Sequence, residues 1–303
     1  MAELSPALYR AGTGEPLVLI HGFTATWRCW LPVLGLLVPR FDVIAPTLHG
    51  HDGGPPSPPG AETLAQAADH FESLLDGLGV GTAHLAGNSL GGALALELAK
   101  RGRARSVVAI SPGGGWEEHD TREVDRIIRL FKRTQRSARA TVKHHERLLA
   151  RPGFRKIGMR DIMSRGHLVP AEEAVLLTRS SIRCGVVEDV FKTMRDGSGR
   201  VVDLDQVKVP TLVVWGDRDR LLPMEHHADR FKAEIPGVRF EVLPGLGHTP
   251  MWDDPGRVAM VIGDFAAEVA ASANGQAASV TAVPAEPVAA GSGGASPSGA
   301  DPA

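Results

Sequence analysis

The stretch "LAGNSLGG", Leu85 to Gly92, sets one serine among three glycines, directly after the apolar run "TAHLAG" and directly before the helix-forming "ALALELAK". Gly87-Asn88-Ser89-Leu90-Gly91 fits G-x-S-x-G in the strand, turn and helix setting that gives the pattern its meaning. So tight a turn forces Ser89 into a strained backbone conformation. Neighbours without a Cβ, Gly87 and Gly91, let the chain pass close to itself there. The strain lifts the hydroxyl clear of a sheet and brings the backbone N–H of Leu90 beside it at a helix N-terminus. As a bare pattern the same five residues also suit a glycine-rich turn whose serine merely caps a helix. The rest of the chain has to decide.

Working outward, short apolar runs alternate with segments of helical period. "PLVLIHG" (16–22), "FDVIAP" (41–46), "TAHLAGNS" (82–89), "RSVVAISP" (105–112), "PTLVVWGD" (210–217) and "VRFEVLPG" (238–245) read as strands, most of them continuously apolar, as a sheet covered on both faces requires. Leu64, Phe71, Leu74, Leu75 and Leu78 share one helical face, and Val258, Val261, Ile262, Phe265 and Val269 form a closing amphipathic helix. This predicts an α/β fold: a mostly parallel sheet flanked by helices. Between Trp116 and Arg200 strand signals vanish and helical patterns follow one another: Val124, Ile127, Ile128 and Phe131, then Val142, His145, Leu148 and Leu149, then Val186, Val187, Val190, Phe191 and Met194. The expected division is a core over 1–115, an all-helical insertion over 116–200, the rest of the core over 201–272, and a tail over 273–303. That tail, rich in Ala, Pro, Gly and Ser with no aromatic residue, is expected to be disordered because it cannot bury enough surface to offset its ordering entropy.

Composition narrows the function. A chain of 303 residues, 43% of them hydrophobic, suits one elaborated domain. With 33 basic against 35 acidic residues the formal net charge is −2, so no global field draws in nucleic acid. Cys29 and Cys184 are too few for a disulfide framework or a zinc site. No basic start is followed by an apolar segment, and no apolar run reaches the ~18 residues that span a bilayer. A soluble, cytoplasmic protein is expected; its oligomeric state is not legible.

A serine hydroxyl is a weak nucleophile and needs a base that is itself oriented by an acid. On a sheet of this kind the partners follow in the order Ser, Asp or Glu, His, each just past a later strand. "LVVWGDRDRLLP" offers Asp217 and Asp219 beyond one strand, and "VLPGLGHTPMWDDP" offers His248 beyond the next. Asp217 abuts its strand and suits the turn, accepting backbone N–H bonds; Asp219 lies further into the loop. An oxyanion needs donors, and "LVLIHGFTATW" places a His-Gly turn after an early strand, where the N–H of Phe23 joins that of Leu90.

With these four motifs in order, His21-Gly22, Gly87 to Gly92, "WGDRD" at 215–219 and "GLGHTPMWDDP" at 245–255, the chain resembles the α/β-hydrolase fold family in its form with a single helical cap, from about Leu8 to Ser272. The resemblance implies Ser89 as nucleophile, Asp219 as acid, His248 as base, and Phe23 with Leu90 as oxyanion donors. It implies a small-molecule acyl substrate such as a carboxylic ester and no metal or organic cofactor. Haloalkane dehalogenases and epoxide hydrolases of this fold use an aspartate at the elbow, and the epoxide enzymes present cap tyrosines, whereas this chain has Ser89 and a single tyrosine, Tyr9. "GNSLGG" is similar to the elbow of the hydrolases that cut carbon–carbon bonds in ring-fission products, with Asn88 matched, but "HGFTATW" lacks their glycine-rich turn. Cofactor-free perhydrolases share the triad, and a non-catalytic ligand receptor of the same fold is a further alternative.

The chain departs from the family at "APTLHGHDGGPP", where many members carry an aspartate in place of Thr47 and a glycine-rich turn in place of His49 to Gly54. His49 and His51 there stand either as structural loop histidines or as substrate contacts. His84 reads as a packed strand residue, Trp30 as core, and Trp27, close to the oxyanion turn, as either core or substrate wall. Residues 117–200 hold 19 Lys or Arg against 12 Asp or Glu, which is either a solvated basic face or an attraction for anionic acyl substrates.

Overall fold

In the computed structural model, which describes residues 3–57, 60, 63–117 and 120–281, the apolar runs pair into one eight-stranded sheet in the order β1-β2-β4-β3-β5-β6-β7-β8. The strands are β1 (Glu3–Leu4), β2 (Leu8–Ala11), β3 (Pro16–Ile20), β4 (Asp42–Pro46), β5 (Ala83–Asn88), β6 (Ala104–Ile110), β7 (Thr211–Gly216) and β8 (Arg239–Leu243). From β4 through β8 all neighbours are parallel. These six are the runs expected from sequence. The edge pair β1 and β2 is antiparallel and was not expected; only Leu8 of β2 is buried, so no apolar run marks it.

Helices α1 (Leu31–Leu37), α2 (Leu64–Gly77) and α3 (Leu90–Lys100) precede β6. Between β6 and β7 lie only helices: α4 (Thr121–Thr141), α5 (His145–Leu149), α6 (Pro152–Gly158), α7 (Ala171–Arg183) and α8 (Val187–Asp196). Then come α9 (Met224–Glu234), α10 (Pro250–Asp253) and α11 (Pro255–Thr281). Side chains alternate across the sheet with period two. Val18 and Ile20 of β3 join Phe71 and Leu75 of α2, Leu94 of α3 and Phe231 of α9 in one core. Leu17 and Leu19 join Trp30 just before α1, Leu37 of α1 and Ile262 and Phe265 of α11 in the other. Each such buried side chain contributes roughly 1.5–3 kcal/mol relative to exposure.

Local signals set the ends of helices. Thr63 and Gln66 form a reciprocal capping box at α2, 3.2 Å and 3.0 Å. Asp120 accepts the Glu123 N–H at 3.0 Å to start α4. α11 runs past Ser272 through Thr281, into the first part of the segment expected as the tail. "ANGQAASVT" contains good helix formers, and extending an existing helix avoids the cost of nucleation. The remainder of the expected disordered tail, 282–303, lies outside the described residues. The chain divides into two units, residues 1–269 with the sheet and residues 270–303.

Trp27 and Trp30 are core residues, 3% and 0% exposed. His84 is held between Ser106 Oγ and Glu15 Oε2, both at 2.8 Å. Thr47 donates through Oγ1 to the Pro6 carbonyl at 2.9 Å and so ties the end of β4 to the N-terminal segment. Both cysteines are free and buried. Among the described residues no helix is long and apolar enough to cross a membrane.

Candidate active site

The turn from β5 to α3 places Ser89 at φ 56° and ψ −117°, a conformation an L-residue adopts only under constraint. The constraint is visible: the Ser89 N–H donates to the Ile110 carbonyl of β6, and the Ser89 carbonyl accepts from Gly113 N–H, both at 2.9 Å. Gly91 presses against the carbonyl of Ile20, where any Cβ would overlap it. The first turn of α3 is thereby held against the end of β3, with Ser89 half-buried at its start.

Beyond β7 and β8, His248 Nδ1 donates to Asp219 Oδ2 at 2.7 Å. Asp219 Oδ1 accepts the N–H groups of Leu221 and Leu222 at 3.0 and 2.8 Å. Three donors hold this buried carboxylate in place, and the imidazole tautomer follows: the proton sits on Nδ1 and Nε2 carries the lone pair. His248 Nε2 is buried and makes no hydrogen bond, to Ser89 Oγ included; such contacts are often loose without substrate. Asp217 is exposed and accepts the Gly245 N–H at 2.6 Å, serving the turn as its position suggests.

Three side chains that motif reasoning did not assign hold this arrangement. Asn88 Nδ2 donates to the carbonyls of His248 and Ile110 at 2.8 and 3.1 Å. Asp253 accepts N–H groups of Gly247, Ser164 and Arg165, joining the His248 loop to the helical insertion. Arg126 of α4 donates to the carbonyls of Leu221 and Arg220 at 2.6 and 3.3 Å, on the loop that cradles Asp219. Burial alone would raise the Glu123 carboxyl, but hydrogen bonds from Arg126 and His227 hold it down at about 2. Among these, Asn88 in "GNSLGG" and the acidic doublet Asp253-Asp254 before Pro255 are visible in the sequence, whereas nothing there marks Arg126.

The turn after β3 lies against the elbow: a Cβ on Gly22 would stand 3.2 Å from both the Asn88 carbonyl oxygen and Ser89 Cβ. Thr24 in that turn has φ 64°. His21 Nδ1 donates to the Gly22 carbonyl at 2.8 Å and Nε2 accepts the Leu48 N–H at 2.9 Å. Burial, with His51 adjacent, presses the His21 pKa well below its ordinary value. The Phe23 ring meets Phe131 and Phe191 of the insertion edge-on, at 5.0 and 5.9 Å.

A cavity of about 130 Å³ opens over Ser89 and Leu90. Phe71 and Leu74 of α2 form one wall, and Ile127 and Phe131 of α4 face them. Among the described residues its lining includes no Lys or Arg; the charged side chain there is Asp189. The positive excess of the insertion therefore belongs to other faces: of the two readings of that charge, the attraction for anionic substrates finds no support in the described cavity lining.

Residues 17–261 match the alpha/beta hydrolase family. The chain belongs to that family and is an enzyme of hydrolase type. It is similar to "Epoxide hydrolase EphH" of Mycobacterium tuberculosis, 34% identical over 67% of this chain and 95% of that protein. It is also similar to the 2-hydroxy-6-oxo-6-phenylhexa-2,4-dienoate hydrolase of Burkholderia cepacia, 27% identical over 80% of this chain and 84% of that one. Among solved structures, a thermophilic esterase from Thermogutta terrifontis aligns with a TM-score of 0.65 and 23% identity, over 89% of this chain and 99% of the esterase. Likeness at that identity concerns the fold.

Proposed function

We propose that this chain is a serine hydrolase that cleaves a carboxylic ester or related acyl bond of a small molecule. The observation that carries the proposal is the 2.7 Å bond from His248 Nδ1 to Asp219 Oδ2, which leaves Nε2 as a base on a loop that Asn88 ties to the turn of Ser89, itself part of the cavity lining. His248 Nε2 takes the Ser89 proton as the hydroxyl attacks the substrate carbonyl. Asp219 holds the tautomer and stabilises the imidazolium, and the backbone N–H groups of Phe23 and Leu90 receive the oxyanion. The imidazolium protonates the leaving alcohol; water activated by the same His248 then cleaves the acyl-enzyme. Residues 116–200 act as the cap that walls the acyl pocket, on a core of residues 1–115 and 201–272.

The relative named as an epoxide hydrolase raises a different chemistry. In this chain the elbow residue is Ser89 rather than an aspartate. The one tyrosine, Tyr9, stacks at 5.5 Å on Trp27 and is no part of the cavity lining. Carbon–carbon cleavage on the same triad is the second reading, favoured by the likeness to the phenylhexadienoate hydrolase and by Asn88 at the elbow.

Labelling with a fluorophosphonate, with turnover of p-nitrophenyl esters of graded chain length, tests the proposal. An adduct at Ser89 and ester turnover that vanish together in Ser89→Ala support it. Labelling without ester turnover, accompanied by cleavage of a phenylhexadienoate, shifts the assignment to the second reading. A folded protein that forms no adduct is a receptor of the same fold.

A further inference from the structure

His51, 5% exposed, borders the cavity over Ser89. Its Nδ1 donates to the His49 carbonyl at 3.0 Å, so the ring carries its proton there and offers Nε2 as an acceptor. That Nε2 is buried and has no hydrogen-bond partner among the described residues. Its ring neighbours do not supply one: His21, 4.9 Å away, uses both of its nitrogens elsewhere, and Phe23, at 6.3 Å, presents carbon. Ser57, whose Oγ is also buried without a partner, borders the same cavity. Gly50, the residue before His51, lies close to Ser57: a Cβ there would stand 3.0 Å from Ser57 Cβ. An acceptor kept dry and unpaired is costly. Two unpaired polar side chains in the lining of a largely apolar pocket follow the pattern of a ligand site, where a few placed polar groups fix orientation.

We infer that His51 Nε2, with Ser57 Oγ in the same lining, is the recognition point for a hydroxyl or N–H donor carried by a neutral, largely apolar substrate. This deepens the hydrolase proposal and rests on it for the pocket's role. Burial holds the His51 pKa down at about 4, so the ring is neutral at ordinary pH and its free nitrogen accepts only. A carboxylate, ether or ketone oxygen placed against it finds no proton, whereas an alcohol, enol, phenol or amide N–H does. Asp189, with no Lys or Arg in the described lining, disfavours an anionic ligand as well.

Phenol and its methyl ether, anisole, serve as probes because neither is turned over. Their affinities are measured by calorimetry on the wild type and on His51→Phe. In parallel, the ¹⁵N resonance of His51 Nε2 is followed in the wild type, which keeps the test decisive should the variant fold poorly. The expected result is a phenol-over-anisole preference that drops by roughly three- to tenfold in His51→Phe, the weight of one hydrogen bond. The Nε2 resonance is expected to move on addition of phenol but not of anisole. A preference unchanged by the substitution, a resonance indifferent to phenol, or no phenol binding at all overturns the inference. Protein that discriminates phenol yet takes no fluorophosphonate at Ser89 keeps this recognition point and loses the hydrolase proposal. Labelled protein that binds both probes alike does the reverse.

Discussion

Asn88, the residue before Ser89, donates through Nδ2 to the backbone carbonyl of His248 at 2.8 Å, so the β5–α3 turn and the His248 loop are joined one residue away from the serine. The same amide reaches the Ile110 carbonyl at 3.1 Å, anchoring the join to β6. Replacement by alanine takes this donor from the His248 carbonyl, while the Ile110 carbonyl keeps the Ser89 N–H. Asn88→Ala is expected to cost about 1–3 kcal/mol of stability. Because Asn88 is absent from the described cavity lining, KM should change little, while kcat falls by up to ~10², the effect of about 1 Å of misplacement. Denaturant unfolding and steady-state kinetics check the two parts. A raised KM with full kcat would show that Asn88 meets substrate instead.

The legibility of this protein follows from which interactions leave a pattern along the chain. Strands β3 to β8 are legible because most are buried on both faces and read as apolar runs. β2 is not, since one edge residue, Leu8, carries its burial. The helices α4 and α8 announce themselves through Ile127, Ile128 and Phe191; α6 does not, because Phe154 and Ile157 face solvent, 45% and 67% exposed. Ser89, Asp219 and His248 stand out because each follows a strand in a fixed order. Asn88, Arg126 and Asp253 act through bonds to backbone atoms of distant segments, and such bonds impose no spacing. The count of basic residues in the insertion is likewise legible, but not the direction in which they point.

Stability should fall with acid well before carboxylates titrate. His21 and His51 are buried neutral, with pKa values well below the ordinary 6.5 and at about 4 respectively. Below pH 6.5 the unfolded chain binds protons that the folded chain refuses. Their contribution is therefore full above pH 6.5 and is lost as pH falls toward 4. Each histidine that titrates only when unfolded adds a slope of about 1.4 kcal/mol per pH unit. Urea unfolding at pH 7, 6 and 5 should show this loss, and His51→Phe should reduce the slope by one proton. A stability that stays flat over that range contradicts the assignment.

Arg126 links the insertion to the acid loop. Its guanidinium holds the Leu221 carbonyl at 2.6 Å while the Leu221 N–H, on the same residue, holds Asp219 Oδ1 at 3.0 Å. A substitution that only loosened the insertion would lower the melting temperature and raise KM. Arg126→Met is expected instead to lower kcat by a few-fold to ~10², as the carboxylate shifts under His248. The pH profile of kcat/KM separates the two, because only a displaced Asp219 moves its acid limb.

The two aspartates after β7 give the sharpest contrast. Asp219 is 6% exposed and spends one oxygen on two backbone N–H groups and the other on His248 Nδ1. Asp217 is exposed and accepts the Gly245 N–H. An asparagine at 219 keeps the shape but removes the charge and offers an N–H to Nδ1, which turns the imidazole to the tautomer with no lone pair for the serine proton. Asp219→Asn should therefore lower kcat by on the order of 10⁴ with KM nearly intact. Asp217→Asn keeps an acceptor for Gly245 in water-exposed surroundings and should cost less than about 1 kcal/mol of stability, with turnover near wild type. Parallel ester kinetics and thermal melts on the two variants check both halves. Loss of turnover in Asp217→Asn alongside full activity in Asp219→Asn would exchange the two roles.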